Sequence, residues 1–262
     1  AVGLGLGTKT FDLLPDHWKT YEAEVTFGVQ TDTEDIWGNV LKTHDVSKTP
    51  EEIIQAICSF GGTYDQIPPM YSAKKIDGKK LYQLAREGKI VERKAVPVTL
   101  KDIQVLSVKD NKARFIVTCS AGTYIRTLCV DIGKKLGCEA CMSSLTRVME
   151  GGFSKEQALT LEKIKELADK NELESRLISI DTALGHFPKV IASNEFEKQL
   201  KNGNAIGSNA VLGLQEASID VCSHDICVRL YLNNNGLDEF IGVYHFDKSS
   251  RLLKPVKIFY RN

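Results

Sequence analysis

The stretch Ser120-Ala121-Gly122-Thr123-Tyr124-Ile125-Arg126-Thr127-Leu128 concentrates residues that could do chemistry. A strand pattern over 113–119 runs into a glycine, and an amphipathic helix opens directly behind it. A strand-to-helix corner sets side chains at the end of a sheet, where sites tend to be built. An arginine there can grip a carboxylate in a bidentate salt bridge and hold it ionised as a nucleophile. From residue types alone, however, the plainer account is weightier: a core tyrosine and a surface arginine. A second concentration is electrostatic. Between Lys74 and Lys101 stand nine basic residues against three acidic ones, in a chain whose 34 lysines and arginines balance 34 aspartates and glutamates. Such a basic arm suits a polyanion, although a solvated helix face has the same signature.

Other chemistries find little support. Gly3 to Thr10 is glycine-rich, but a phosphate loop needs glycine, lysine and Ser/Thr in direct succession, and Thr8 intervenes before Lys9. GxGxxG, HExxH, GxSxG and EF-hand patterns do not occur. Cys138-Glu-Ala-Cys141 is a single C-x-x-C; only Cys222-Ser-His224-Asp-Ile-Cys227 could add zinc ligands. The seven scattered cysteines fit buried thiols in a reducing compartment. No apolar run approaches the ~20 residues that span a bilayer. Ala1 is not a natural start, so the chain is expected to begin inside a longer protein.

The elements that must position these residues follow from periodicity. Tyr21 to Phe27 alternates as a half-buried strand, and the polar run 31–35 before Gly38 reads as a loop. Thr49-Pro50-Glu51-Glu52 is a capping box opening a helix with Ile53, Ile54, Ile57 and Phe60 inward. A short helix is predicted over 78–87, strands over 98–108 and 113–119, and a helix from Ile125 to Gly137. Thr160 opens another helix on Leu161, Ile164 and Leu167. After a connector at 178–188 comes a smaller unit: a short helix over 194–201, then strands near 226–232, 239–246 and 253–259. Without regular βαβ alternation, an α+β fold is favoured over a doubly wound one.

Gly122-Thr-Tyr-Ile-Arg-Thr-Leu128, continuing through Asp131-Ile-Gly133 to Leu136-Gly-Cys138, resembles the signature of TruB-type pseudouridine synthases. So do Tyr21, Thr31-Asp-Thr33 with Gly38, the run from Ile67-Pro-Pro-Met-Tyr71 to Tyr82, and Leu145 with Arg147. These blocks come in the family's order across residues 4–150. The C-terminal unit is similar to the family's PUA-like tails, on thinner grounds: Leu200-Lys-Asn-Gly203, Phe240-Ile-Gly242 and Leu253-Lys-Pro255.

The resemblance implies an α+β fold: a pseudouridine synthase core with a mixed or antiparallel sheet and helices at 1–180, then a small, mostly-β PUA-like domain at 189–262. It implies isomerisation of the T-arm uridine at position 55 of tRNA by a monomeric cytoplasmic enzyme, without metal, nucleotide or other cofactor, after base flipping. The family's nucleophile is an aspartate in a Gly-x-Leu-Asp-Pro type motif. Leu4-Gly5 through Thr8-Lys9 resembles the segment just after it, so the nucleophile is expected ahead of Ala1; neither Asp12 nor Asp16 fits the motif. Arg126 would pair with that aspartate. Tyr21 would stack on the flipped base and act in proton removal from its ring carbon. Tyr124 and Leu145 would line the pocket, with Arg147 nearby. The insertion at 66–93 would grip RNA through Tyr71, Lys74, Lys75, Lys79, Lys80, Tyr82 and Arg86. Two alternatives stand beside this reading: an inert tRNA-binding or folding module lacking the aspartate, and a guide-RNA-dependent enzyme acting on ribosomal RNA.

Overall fold

The computed structural model describes residues 1–14, 18–76, 78–212, 226–234 and 236–260. They form two compact units, Asp16–Ala158 and Ala1–Pro15 with Leu159–Asn262.

The first unit contains β1 (Lys19–Phe27), β2 (Val29–Thr31), β3 (Val40–Thr43), α1 (Pro50–Cys58), β4 (Gly62–Gln66), β5 (Lys75–Ile76), β6 (Lys79–Lys80), α2 (Leu81–Arg86), β7 (Val96–Lys109), β8 (Lys112–Cys119), α3 (Ile125–Leu136), β9 (Ala140–Glu150) and β10 (Phe153–Ser154). Its main sheet has the order β10-β9-β1-β8-β7-β4, antiparallel throughout. β1 is central because its alternation buries Ala23, Val25 and Phe27. α3 packs on β9 and β1, α1 packs on β7, and the two helices touch. Between helices and sheet lie the fully buried Phe27, Phe115, Leu128 and Ile132. α3 can approach β9 closely because position 133 is glycine; a Cβ there would lie 2.6 Å from Ala140.

α1 starts as its capping box requires: Glu52 N donates to Thr49 Oγ1 at 3.2 Å, and Thr49 N donates to Glu52 Oε2 at 2.8 Å. Ile53 and Ile57 point inward, but Ile54 is 41% exposed, since the buried stripe follows i, i+3, i+4 from Ile53. The predicted helix over 78–87 is shorter: Lys79 and Lys80 pair with Lys75 and Ile76 in a hairpin, and α2 begins only at Leu81. Leu81 and Leu84 anchor this segment in the interior.

The second unit contains α4 (Leu161–Asp169), α5 (Ile180–Ala183), β11 (Lys189–Ala192), α6 (Glu197–Lys201), β12 (Ile206–Gly207), β13 (Val211–Leu212), β14 (Ile226–Asn234), β15 (Leu237–Asp247) and β16 (Leu252–Ile258). Its sheet, β12-β16-β15-β14-β11-β13, is mixed, with β11 and β14 parallel. A 3₁₀ segment, Gly5–Leu13, belongs here: Leu6 and Leu13 pack with Leu184 and Phe259, and Asp12 pairs with Lys257 at 2.9 Å. Leu161, expected inward on α4, is 80% exposed at the helix's first turn. The fold is α+β, with a mostly-β C-terminal part.

No helix among the described residues is long and apolar enough to cross a membrane. Of the possible zinc ligands, Cys222 and His224 lie outside the described residues. Cys138 and Cys141 are buried thiols, and burial pushes both upward from the ordinary cysteine range. Among the described residues no cluster of His, Cys, Asp and Glu could hold a metal.

Candidate active site

Tyr124 caps the N-terminus of α3 without a side-chain capping bond, and Arg126 is the second residue of that helix. The corner is held from outside. Gln66, only 1% exposed, accepts from Tyr124 N at 2.8 Å through Oε1 and donates through Nε2 to Tyr124 O at 3.1 Å. The same Nε2 donates to the Tyr64 hydroxyl at 2.6 Å. One buried amide thus satisfies the backbone where a strand becomes a helix.

Arg126 is not a surface arginine. Its Nη2 donates to Tyr71 O at 2.7 Å, and its Nη1 donates to Asp35 Oδ2 at 3.3 Å and to Thr33 O at 3.5 Å. The planar guanidinium is thereby fixed from two chain segments, the β2–β3 loop and the start of the basic arm.

The loop bearing Asp35 is itself knotted by hydrogen bonds. Asn39 donates to both Asp32 carboxylate oxygens at 2.9 Å, through its backbone N and its Nδ2. Thr33 Oγ1 and Trp37 N donate to Asp35 Oδ1 at 2.9 and 3.2 Å. A Cβ at Gly38 would come within 2.2 Å of Thr33 Oγ1 and 2.5 Å of Asp32 Oδ1, so a larger residue there would have to displace these hydrogen-bonded side chains. A backbone ladder ties the loop to β9: Met142 N donates to Glu34 O at 3.0 Å, and Ile36 N to Met142 O at 2.8 Å. Glu34 accepts from Thr127 Oγ1 at 2.5 Å. Burial pushes its carboxyl above the ordinary glutamate range, against the opposing pull of Thr127, Arg126 and Lys134.

Tyr21 lies on β1 opposite Val117 of β8 and Arg147 of β9, while Leu145 lies opposite Ala23. Registered neighbours share a face, so Tyr21, Leu145 and Arg147 stand together on the helix-covered side of the sheet. Tyr21 is half-buried against the core that includes Ile125; Leu145 is 39% exposed. Arg147 pairs with Glu150 at 2.7 Å.

Of the basic arm, Lys74, Lys75, Lys79 and Arg86 are exposed, and Tyr71, Lys80 and Tyr82 are half-buried. Lys80 Nζ and the Arg86 guanidinium flank the Tyr82 ring at 5.7 and 5.4 Å, within cation–π range. Sequence reasoning missed Glu34, Asp35, Gln66 and Thr127. Asp35 could have been suspected from the Thr31-Asp-Thr-Glu-Asp35 run closed by Gly38, which has the make-up of a self-bonded turn rather than a solvated loop.

Residues 1–125 match the model of the TruB family pseudouridylate synthase N-terminal domain, and residues 126–185 match that of the tRNA pseudouridylate synthase B C-terminal domain. The chain is 41% identical to tRNA pseudouridine synthase B of Alkaliphilus oremlandii (strain OhILAs), covering 99% of this chain and 84% of that protein. It is 44% identical to the Clostridium novyi (strain NT) protein of the same name, over 92% of this chain and 79% of that one. For the Bacillus anthracis protein of that name the identity is 38%, over 100% and 83%. Among solved structures, a Cbf5–Nop10–Gar1 complex shares the fold with a TM-score of 0.64 at 20% identity, over 98% of this chain and 71% of that one. With these family models across its first 185 residues and such relatives along nearly its whole length, the chain belongs to the TruB family of pseudouridylate synthases.

Proposed function

We propose that this protein isomerises the T-arm uridine at position 55 of tRNA to pseudouridine. The observation that carries this reading is the α3 corner. An arginine is locked by Asp35 and two carbonyls, and it stands in a chain 41% identical to a tRNA pseudouridine synthase B. The reaction breaks the glycosidic bond, rotates the base and rejoins it through C5, whose hydrogen leaves as a proton. A fixed cation serves such chemistry by holding a nucleophilic carboxylate ionised and aimed.

Arg126 takes that role toward the family's nucleophilic aspartate. Tyr21 stacks on the flipped base and takes part in removing the C5 proton, while Tyr124 and Leu145 line the base pocket and Arg147 flanks it. Tyr71, Lys74, Lys75, Lys79, Lys80, Tyr82 and Arg86 hold the RNA, chiefly through phosphates. Functionally, residues 1–180 serve as the catalytic domain, with 66–93 as its RNA-gripping insertion, and 189–262 as a PUA-like RNA-binding domain. The enzyme works as a monomer in the cytoplasm.

Two other readings are disfavoured. An inert module has no support from relatives that are synthases by name, and the likeness to the Cbf5 structure, at 20% identity, is one of fold. The test is tritium release from a T-arm hairpin carrying [5-³H]uridine, with the full-length protein. Stoichiometric release is expected; binding without release would support the inert module instead.

A further inference from the structure

Glu34 and Asp35 are adjacent in sequence, yet their carboxylates serve successive residues of α3. Asp35 takes Arg126 at 3.3 Å and Glu34 takes Thr127 at 2.5 Å. The backbone reaches this arrangement by placing Glu34 at φ 67°, the left-handed region that L-residues avoid. Such a conformation persists only where its surroundings over-determine it, and the ladder to Met142 and the Thr127 bond do so here.

The need for a second attachment follows from the helix. The first turn of α3 carries Arg126 but has no side-chain cap, so its leading N–H groups lack the usual local acceptor. A threonine in the first turn of a helix has no helical carbonyl four residues earlier for its hydroxyl to reach. Thr127, 3% exposed, instead donates outward to Glu34, and a carboxylate at a helix N-terminus also suits the helix dipole.

We infer that Glu34 and Thr127 form a positioning latch that holds the first turn of α3, and hence Arg126 and Asp35, in reactive register without touching substrate. The inference rests on the function proposed above. Glu34 borders a cavity of about 270 Å³, shared with Tyr64, Asp65, Arg93, Asp131 and Lys134. The charged and titratable groups around it are therefore Arg126, Asp131 and Lys134 from α3, Tyr64 and Asp65 from β4, Arg93 ahead of β7, and Asp35 beside it.

The test is single-turnover isomerisation of a T-arm hairpin by full-length protein, with RNA Kd measured alongside. Thr127→Val keeps the shape and removes the hydroxyl. Its rate is expected to fall ~10- to 100-fold with Kd within about twofold of wild type, the pattern of a misplaced reacting group. Thr127→Ser restores the hydroxyl and should recover the rate to within about threefold. Glu34→Gln keeps an acceptor and should retain most of the rate, whereas Glu34→Leu should match Thr127→Val. The double variant, Glu34→Leu with Thr127→Val, should be no slower than either single change, because both remove the same bond. A wild-type rate for Thr127→Val, a loss that Thr127→Ser does not recover, or additive losses in the double variant would each overturn the latch. If the wild-type protein binds the hairpin but does not isomerise it, the proposed function fails. The latch is then decided by crystal structures: Thr127→Val losing the Arg126–Asp35 contact supports it, and one keeping that contact overturns it.

Discussion

Arg126 gives its guanidinium hydrogens to Asp35, Thr33 and Tyr71, whereas Lys74, Lys75, Lys79 and Arg86 hold their charges out to solvent. The Arg126 corner is held through buried polar groups, Gln66 and Thr127, and through a loop knotted onto β9. The arm is anchored mainly by two apolar residues, Leu81 and Leu84. The difference matches the two kinds of work that the proposed function assigns. A cation that must meet developing charge in one geometry gains from being ordered in advance. Cations that follow a phosphate backbone act at longer range and tolerate movement, and their contribution is screened by salt.

The comparison predicts where variants should act, and the largest effect belongs to the corner. Arg126→Lys keeps the charge but loses the planar fork. Single-turnover isomerisation should fall by roughly 100- to 1,000-fold with RNA Kd nearly unchanged. Asp35→Asn removes the anion that faces Arg126 while keeping its shape; a smaller loss of about 10- to 100-fold, again in rate rather than affinity, is expected from rapid-quench assays. The arm should respond in the opposite sense. Lys79→Glu with Lys80→Glu should weaken RNA binding by about tenfold or more at moderate salt. It should also flatten the slope of log K against log salt by about two, leaving the rate at saturating RNA within about threefold.

The smallest effect is on stability. Burial raises the Glu34 carboxyl above its ordinary value near 4.5, so the unfolded chain gives up this proton first. Between that value and the raised one the folded state binds more protons, and stability is lost as pH rises through the window. Glu34→Gln should remove this component. Urea midpoints should therefore fall more steeply for wild type than for the variant as pH rises from about 4.5 towards neutrality. Parallel curves would mean that Glu34 is not held in the disfavoured state.

Much of this architecture could be read in advance, for identifiable reasons. β1, α1, α3 and the β7–β8 pair announce themselves through alternation, a capping box and a glycine stop at 137. β9 escaped, although it runs along the length of β1, because only its first three residues are buried and Leu145 and Met149 are exposed. Its place is set by its partner rather than by its own pattern. β4, Gly-Thr-Tyr-Asp-Gln, is polar and glycine-led, and it becomes a strand by pairing with β7. Arg126, Tyr124 and Tyr21 were singled out through the family's motifs. Asp35 and Glu34 were not: the Thr-Asp-Thr-Glu-Asp run closed by Gly38 marks a self-bonded turn, but only tertiary contacts turn one carboxylate to Arg126 and the other to Thr127.

The most direct measurement is tritium release from a [5-³H]uridine T-arm hairpin, run side by side with full-length wild type and Arg126→Lys at saturating RNA. Stoichiometric release by wild type, with a slow variant that still binds normally, is the predicted result. Release by the variant at the wild-type rate, or no release by a wild-type protein that binds the hairpin, would contradict the assignment of catalysis to the α3 corner.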